Sequence, residues 1–147
     1  MSASLLILIP LLPLLGFIIN GIGFRHLPKN LAGVIGSETA LGAFAVSILA
    51  WNGFDGQPQV VKLFDWISIG QLTIAFSFQI DQLSLLMLMV VTGVGSLIHI
   101  YSVGYMSHDE GFGKFFAFLN LFLFFMLLLV MGSNYVIMFI GWEGVGL

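Results

Sequence analysis

The sequence has 147 residues, of which 59% are hydrophobic and only 7% charged, with a net charge of −3 and no cysteine. A soluble domain is about 25% charged, so lipid rather than water has to solvate most of this surface. The missing cysteines exclude disulfides, thiolate metal sites and cysteine nucleophiles, and the lack of a basic patch excludes nucleic-acid binding.

A spanning helix takes about 20 apolar residues. The first such stretch, 4–24, is uncharged. It has neither the basic leader nor the small-x-small site of a signal peptide, and is read as a retained helix. Pro10 and Pro13 bend it, which lipid-embedded helices tolerate where neighbours take up the freed carbonyls. The second stretch, 31–51, contains one charge, Glu38. Its Ala32, Gly36, Ala40, Ala43, Ser47 and Ala50 recur every three or four positions, a face for close helix contact in lipid. Glu38 lies near the start of that helix, within reach of the headgroups or of Lys29 or Arg25.

Residues 52–82 form the longest connection. Within it Leu72, Ile74, Phe76, Phe78 and Ile80 alternate with Gln71, Thr73, Ala75, Ser77 and Gln79. Period-two alternation marks a half-buried strand. Residues 60–69 form a weaker strand and Ser68–Gln71 the turn, which predicts a short external β-hairpin over about 60–80 with its apolar face packed and its polar face free. Asp81 then stands as the N-cap of the next helix.

The third stretch, 83–105, contains His99, and the fourth, 115–132, contains no charge. A fifth opens at 135 and is still running at 147, with Glu143 inside it. If every stretch spans, Arg25, Lys29 and Lys114 share one side and Lys62 lies on the other. Basic residues stay inside, so the amino terminus is expected outside and the loops 25–30 and 106–114 in the cytoplasm or matrix.

Two ionisable residues lie deep in the apolar stretches. Glu143 is nine residues beyond Asn134, about 13–14 Å along a helix, near the middle of a hydrocarbon core about 30 Å thick. A charge at that depth costs about 2.5–3.5 kcal/mol or more. Burial favours the neutral acid and a nearby cation favours the carboxylate, so a group balanced between them takes up and releases a proton. His99 lies about 24 Å from the outer end of its helix. Imidazole titrates near neutrality, which makes His99 a candidate proton relay, with a hydrogen-bonded packing histidine as the alternative. No glycine-rich phosphate loop follows a strand, and no metal-ligand cluster is expected.

The runs DQLSLLMLMVVTGVGSLIHIYSVGYM (81–106) and KFFAFLNLFLFFMLLLVMGSNYVIMFIGWEGVGL (114–147) resemble the amino-terminal third of the L subunit, or chain 5, family of proton-translocating NADH:quinone oxidoreductase, respiratory complex I. The resemblance is strongest over 60–147, and 1–59 matches in layout. GWEGVGL is its most specific motif. Related antiporter-like subunits also place a glutamate after tryptophan on this helix but usually lack the Gly-x-Gly that follows.

The resemblance implies an all-α polytopic membrane protein, an antiporter-like transmembrane helix bundle with a short external hairpin. Glu143 matches the fifth-helix glutamate that pairs with a lysine on a later helix, an intramembrane proton carrier. His99 matches the histidine before the "YS" of helix three. The implied role is a translocase subunit coupling quinone reduction by NADH to proton pumping, with no redox centre in this chain and the flavin, iron–sulfur clusters and quinone elsewhere in the complex. Its partners would be the other membrane-arm subunits, above all a neighbouring antiporter-like subunit, and the bilayer. The bacterial inner membrane is the expected location, with the mitochondrial inner membrane as the alternative. A large subunit of a multi-subunit sodium/proton antiporter is the second reading. A purely structural scaffold has no use for Glu143. Family members have well over a dozen helices, so a chain ending inside the fifth is expected to be a fragment.

A cysteine introduced near His26 or Asp109 is expected to react only with a reagent on the cytoplasmic side, and one near Gln57 only from outside. Labelling of both sets from one face would overturn the orientation.

Overall fold

A computed structural model describes residues 2–147. In chain order the elements are α1 (Ala3–Gly23), α2 (Lys29–Asn52), β1 (Gln59–Ile69), β2 (Leu72–Ile80), α3 (Gln82–Tyr105), α4 (Phe112–Met131) and α5 (Tyr135–Gly146). Helices α1 to α4 are each long and apolar enough to cross a bilayer. The chain is an integral membrane protein, mostly helical, with one antiparallel two-stranded hairpin.

Helix α4 is central. It packs against α1, α2, α3 and α5, while α2 also packs on α1 and α3. Close approach rests on small residues, because lipid offers no hydrophobic drive for helices to associate. All six small residues of the α2 stripe are buried. At Gly36 an added Cβ would lie 2.6 Å from the Phe116 ring of α4, so the glycine sets the α2–α4 separation. The α1–α2 and α3–α4 connections lie together at one end, joined by Lys29 Nζ donating to the Ser107 carbonyl at 3.2 Å. This is the basic end. The hairpin and the α4–α5 connection mark the other. Glu38 is exposed and, among the described residues, the one ion pair is Lys62–Asp65, so Glu38 pairs with neither Lys29 nor Arg25.

The hairpin turns one residue later than the sequence suggests. Ile69 pairs with Leu72, which leaves Gly70-Gln71 as a two-residue loop. Gly70 takes φ +59°, and among the described residues no non-glycine has positive φ. A left-handed first position is what such tight hairpin loops demand, and Gly70 is the residue in that window that supplies it at no steric cost.

The expected free polar face of β2 is found at its tip, where Thr73 is exposed, but not at its base. Ser77 is 4% exposed and its hydroxyl hydrogen-bonds that of Ser133. The Ser133 N–H donates to the Ser77 carbonyl at 3.2 Å, Phe78 bridges Gly132, and Asn134 Nδ2 donates to the Ala75 carbonyl at 2.7 Å. The alternation is correct for the strand, but around Ala75 and Ser77 its polar side lies on the α4–α5 connection instead of water. Burial grades along the strand from Leu72, 58% exposed, to Ile80 at 0%, because the tip projects while the base enters the bundle.

Asp81 is the N-cap of α3. Its side chain accepts from the Ser84 N–H and Ser84 Oγ accepts from the Asp81 N–H, both at 2.8 Å, a reciprocal capping box. The Ser84 backbone bond holds the Asp81 carboxyl below the usual range.

Asn134 has two tasks. Its Oδ1 caps α5 by accepting from Val136 and Ile137 N–H, each at 3.1 Å, while its Nδ2 holds β2. Asn134→Ser keeps a cap and loses the strand bond; Asn134→Ala loses both. The alanine variant is expected to lose about 1 kcal/mol more than the serine variant, read as the thermal midpoint in detergent, and both are expected to speed proteolysis of the hairpin. Equal midpoints for the two variants would remove the capping role.

Candidate functional site

The apolar interior is crossed by one polar node. Thr92, Ser96, His99 and Ser102 recur every three or four residues on α3 and are all buried. The hydroxyls of Ser96 and Ser102 each donate to the carbonyl four residues back at 2.7 Å, so they satisfy themselves within the helix. His99 cannot. Its Nδ1 donates to the Gly95 carbonyl at 2.7 Å, and its Nε2 lies 2.6 Å from Asn120 Oδ1 on α4. Asn120 Nδ2 donates in turn to Thr39 Oγ1 on α2 at 3.2 Å, and Thr39 donates to the Gly36 and Ile35 carbonyls at 2.9 and 3.0 Å.

Gly16 of α1 closes the node. A Cβ there would collide with Asn120 Nδ2 and Thr39 Oγ1. Four helices therefore meet at one amide. His99 and Asn120 are 1% and 0% exposed. Asn120 lies about 12 Å and Thr39 about 15 Å along their helices from the basic end, so the node is at membrane depth. An apolar cleft of about 210 Å³ between α3 and α4, lined by Val94, Ile98, Leu119 and Leu123, reaches the imidazole.

The donor and acceptor inventory gives this node two states. With Nδ1–H committed to Gly95, an imidazolium donates from Nε2 to Asn120 Oδ1. A neutral ring accepts at Nε2, which calls for the amide turned over, Nδ2 toward His99 and Oδ1 accepting from Thr39. The Asn120 amide thus has an acceptor and a donor to offer Nε2, one for each protonation state.

Glu143 is elsewhere. Helix α5 packs on α4 through Gly141 and Gly144: a Cβ on Gly141 would lie 2.6 Å from the Leu129 nitrogen, and one on Gly144 would collide with the Phe125 ring. With these two glycines against α4, Glu143 and Trp142 are turned outward and exposed. The glycines around Glu143 thus set the α4–α5 contact and fix which way the carboxylate points. The structure does not bring Glu143 and His99 together. Gly146 meets nothing, so of the two glycines in the 144–146 run Gly144 alone makes a close contact.

Asn120, Thr39 and Asn20 were not singled out in the sequence because they carry no charge. Asn20 on α1 is fully buried, donates from Nδ2 to the Ala32 carbonyl at 3.2 Å, and leaves its Oδ1 without a partner among the described residues. The available signal was a lone amide in an apolar run, FFAFLNLFLFF for Asn120. Among the described residues no group of three or more His, Asp or Glu side chains is placed to hold a metal ion.

Residues 66–116 match a family profile described as NADH-ubiquinone oxidoreductase (complex I), chain 5 N-terminus. Over the whole chain the sequence is 44% identical to the NADH-quinone oxidoreductase subunit L of Rickettsia bellii, of which it covers 23%. Over 92% of the chain it is 46% identical to subunit L of Mycobacterium tuberculosis and 39% identical to the NADH-ubiquinone oxidoreductase chain 5 of Hypocrea jecorina, covering 22% and 20% of those relatives. The sequence belongs to the amino-terminal region of the complex I chain 5 family. It spans between a fifth and a quarter of the length of these relatives.

Glycine is a poorer helix former than alanine by about 1 kcal/mol, so a helical Gly→Ala exchange with free space should stabilise. Gly104 in α3 has that space. Gly104→Ala is expected to raise the thermal midpoint slightly and Gly16→Ala to lower it. The Gly16→Ala loss is expected to shrink in an Asn120→Ala background, where the amide it strikes is gone. Additive losses would show that Gly16 and Asn120 are not in contact.

Proposed function

We propose that this chain is the amino-terminal portion of an antiporter-like, proton-translocating membrane subunit of NADH:quinone oxidoreductase. The observation that carries the reading is similarity over the whole chain to proteins named NADH-quinone oxidoreductase subunit L. Those names favour it over the sodium/proton antiporter reading. The complex would oxidise NADH and reduce quinone with flavin and iron–sulfur clusters in other subunits. This chain would contribute to moving protons, in contact with the other membrane-arm subunits and above all a neighbouring antiporter-like one. The membrane would be the bacterial inner membrane, or the mitochondrial one, with the amino terminus on the outer side.

Two groups would take part in transfer. His99 would hold a proton at Nε2 against Asn120 Oδ1, and release of that proton would turn the amide over and reset the Thr39 bond. Glu143, outward on α5, would exchange its proton with a cation-bearing partner helix. Support for the first is the hydrogen-bonded chain from the Gly95 carbonyl through His99 and Asn120 to Thr39. Support for the second is a carboxylate about 12 Å into an apolar helix, with no cation paired to it among the described residues.

The deciding variants are at Glu143. Gln keeps size and hydrogen bonding but cannot ionise, Asp keeps the acid one methylene shorter, and Ala keeps neither. Proton uptake into vesicles is expected to fall in the order wild type, Asp, Gln, Ala, the last two close together and at least about tenfold below wild type, with assembly of the complex intact for Gln. Undiminished uptake by Glu143→Gln would make the carboxylate structural. Should Gln fail to assemble, recovery of both assembly and uptake by Asp keeps the reading, and loss of uptake in an assembled Asp variant ends it.

A further inference from the structure

Helix α2 presents two packing faces, and this bundle uses one of them. Its small-residue stripe is buried, and the helix packs on α1, α3 and α4. On the other side Leu31, Val34, Glu38, Leu41, Ala45 and Ile48 recur at steps of three and four, the spacing of a seam between two supercoiled helices. Leu31, Val34 and Ile48 are 43%, 56% and 37% exposed, and Glu38 and Ala45 are exposed as well. Leu41 also enters an open groove of about 420 Å³ between α2 and α3, with Phe44, Gly93, Val94 and Leu97. A groove between two helices is the seat that a third helix takes.

Apolar residues on such a seam suit hydrocarbon as well as a protein neighbour and decide nothing. Glu38 decides. It stands nine residues beyond Lys29, the first residue of α2, about 13–14 Å along the helix, and so level with Asn120 rather than with the basic end. Long basic side chains snorkel from such depths, but a glutamate is too short. Ionisable residues within spanning helices turn to a protein interior or a water-filled cavity, yet Glu38 turns away from this interior. Gly36 lies against Phe116 of α4, and two residues further on is about 200° round the helix. Among the described residues no basic group lies within 4 Å of Glu38. Arg25, Lys29 and Lys114 belong to the basic end and Lys62 to the hairpin, so a second copy of these helices brings no cation to this level either.

We propose that the outer seam of α2 seats a membrane-spanning helix of a different subunit, with a lysine or arginine opposite Glu38. The charge selects the class. A wholly apolar helix leaves the carboxylate unpaired, and an acidic one repels it. A single polar residue on an apolar seam fixes register and discriminates among partners, so the leucines and valine supply contact area while the ion pair chooses the neighbour. The side agrees with a separate subunit. Helix α5, and Glu143 with it, sits on α4, whereas the seam opens away from α4. The two carboxylates therefore address different neighbours, and nothing in the Glu38 pairing depends on proton transport.

The test places photoreactive p-benzoylphenylalanine at Val34 or at Ala45 of the complete protein in its native membrane. Irradiation, detergent extraction and sequencing of the joined peptides are expected to find a spanning segment of another polypeptide, with a lysine or arginine inside its apolar run. Truncating one member of a buried charge pair weakens a complex at least about tenfold, so Glu38→Gln is expected to lower the yield of that product by this factor and Glu38→Lys to abolish it. Exchange of the partner's basic residue for glutamate is expected to restore the product in the Glu38→Lys background. Glu110→Gln, in the exposed α3–α4 loop, is expected to leave the yield unchanged. Capture of lipid alone, of a segment of the same polypeptide, of a second copy, or of a helix with no basic residue in its span would each overturn the proposal, as would full yield from Glu38→Gln. Should Glu38→Gln not accumulate, the charge exchange decides: restored capture keeps the proposal and continued loss ends it. Proton uptake does not enter the readout, so this result and the transport result stand or fall separately.

Discussion

The bundle is organised around the amide of Asn120. Hydrocarbon cannot hydrogen-bond, so a polar group inside it is either satisfied by a neighbouring helix or costs several kcal/mol. Asn120 meets that demand with three helices: its Oδ1 faces His99 on α3, its Nδ2 faces Thr39 on α2, and Gly16 of α1 clears the space it occupies. Helix propensity and hydrophobicity would let these helices slide and rotate, since every apolar face suits lipid equally well. One amide with two obligatory partners removes that freedom. The neighbouring contacts then take their spacing from it, with Gly36 against Phe116 and the Phe112–Phe116 pair, ring centres 4.8 Å apart, filling the space toward the basic end.

A second polar clamp acts at the opposite end. Helix α5 packs chiefly on α4. Its start is fixed by Asn134, whose oxygen caps α5 while its nitrogen holds β2, and by Ser133 against Ser77. The hairpin is thereby a part of the α4–α5 turn. Because β2 leads directly into Asp81 and the capping box of α3, a single strand links the starts of α3 and α5. A displacement of the hairpin base would be felt by both helices.

The class of this fold could be read from composition and apolar length, and the hairpin from the period-two run 71–80, because those signals are local. The turn position was off by one residue since Ser68, Gly70 and Gln71 all suit turns and only the backbone conformation at Gly70 separates them. Burial of Ser77 was not legible: alternation says which side of a strand is apolar, not what lies against the polar side, and Ser133 is 56 residues away. The candidate site divides the same way. His99 and Glu143 were conspicuous as ionisable groups in apolar runs. Asn120 and Thr39 complete the hydrogen bonding of His99, but their meaning depends on the approach of three helices, which no local pattern encodes. Asn120 was the more recoverable of the two, since an amide amid phenylalanines and leucines has no cheaper explanation than a partner across the interface.

The division between neutral and charged polar groups follows from the same constraint. The groups enclosed by α1 to α4 are uncharged amides and hydroxyls and one imidazole: Asn20, Ser37, Ser47, Thr92, Ser96, His99, Ser102 and Asn120. Most of these groups close within the bundle, because each has a donor and an acceptor to trade; Asn20 Oδ1 and Ser37 Oγ are the exceptions among the described residues. A carboxylate in ionised form has only acceptors and needs a cation. The four basic residues are Arg25, Lys29 and Lys114 at the basic end and Lys62 in the hairpin, so none is positioned to reach the middle of the bundle. Placing Glu143 inside it would leave a buried charge unpaired, a defect of several kcal/mol. The glycines at 141 and 144 prevent this by committing the opposite face of α5 to α4. What they leave on the outer face is the Glu143 carboxyl, exposed on the side of α5 away from α4. Glu143 is therefore met from outside these helices, whereas His99 is held from within them.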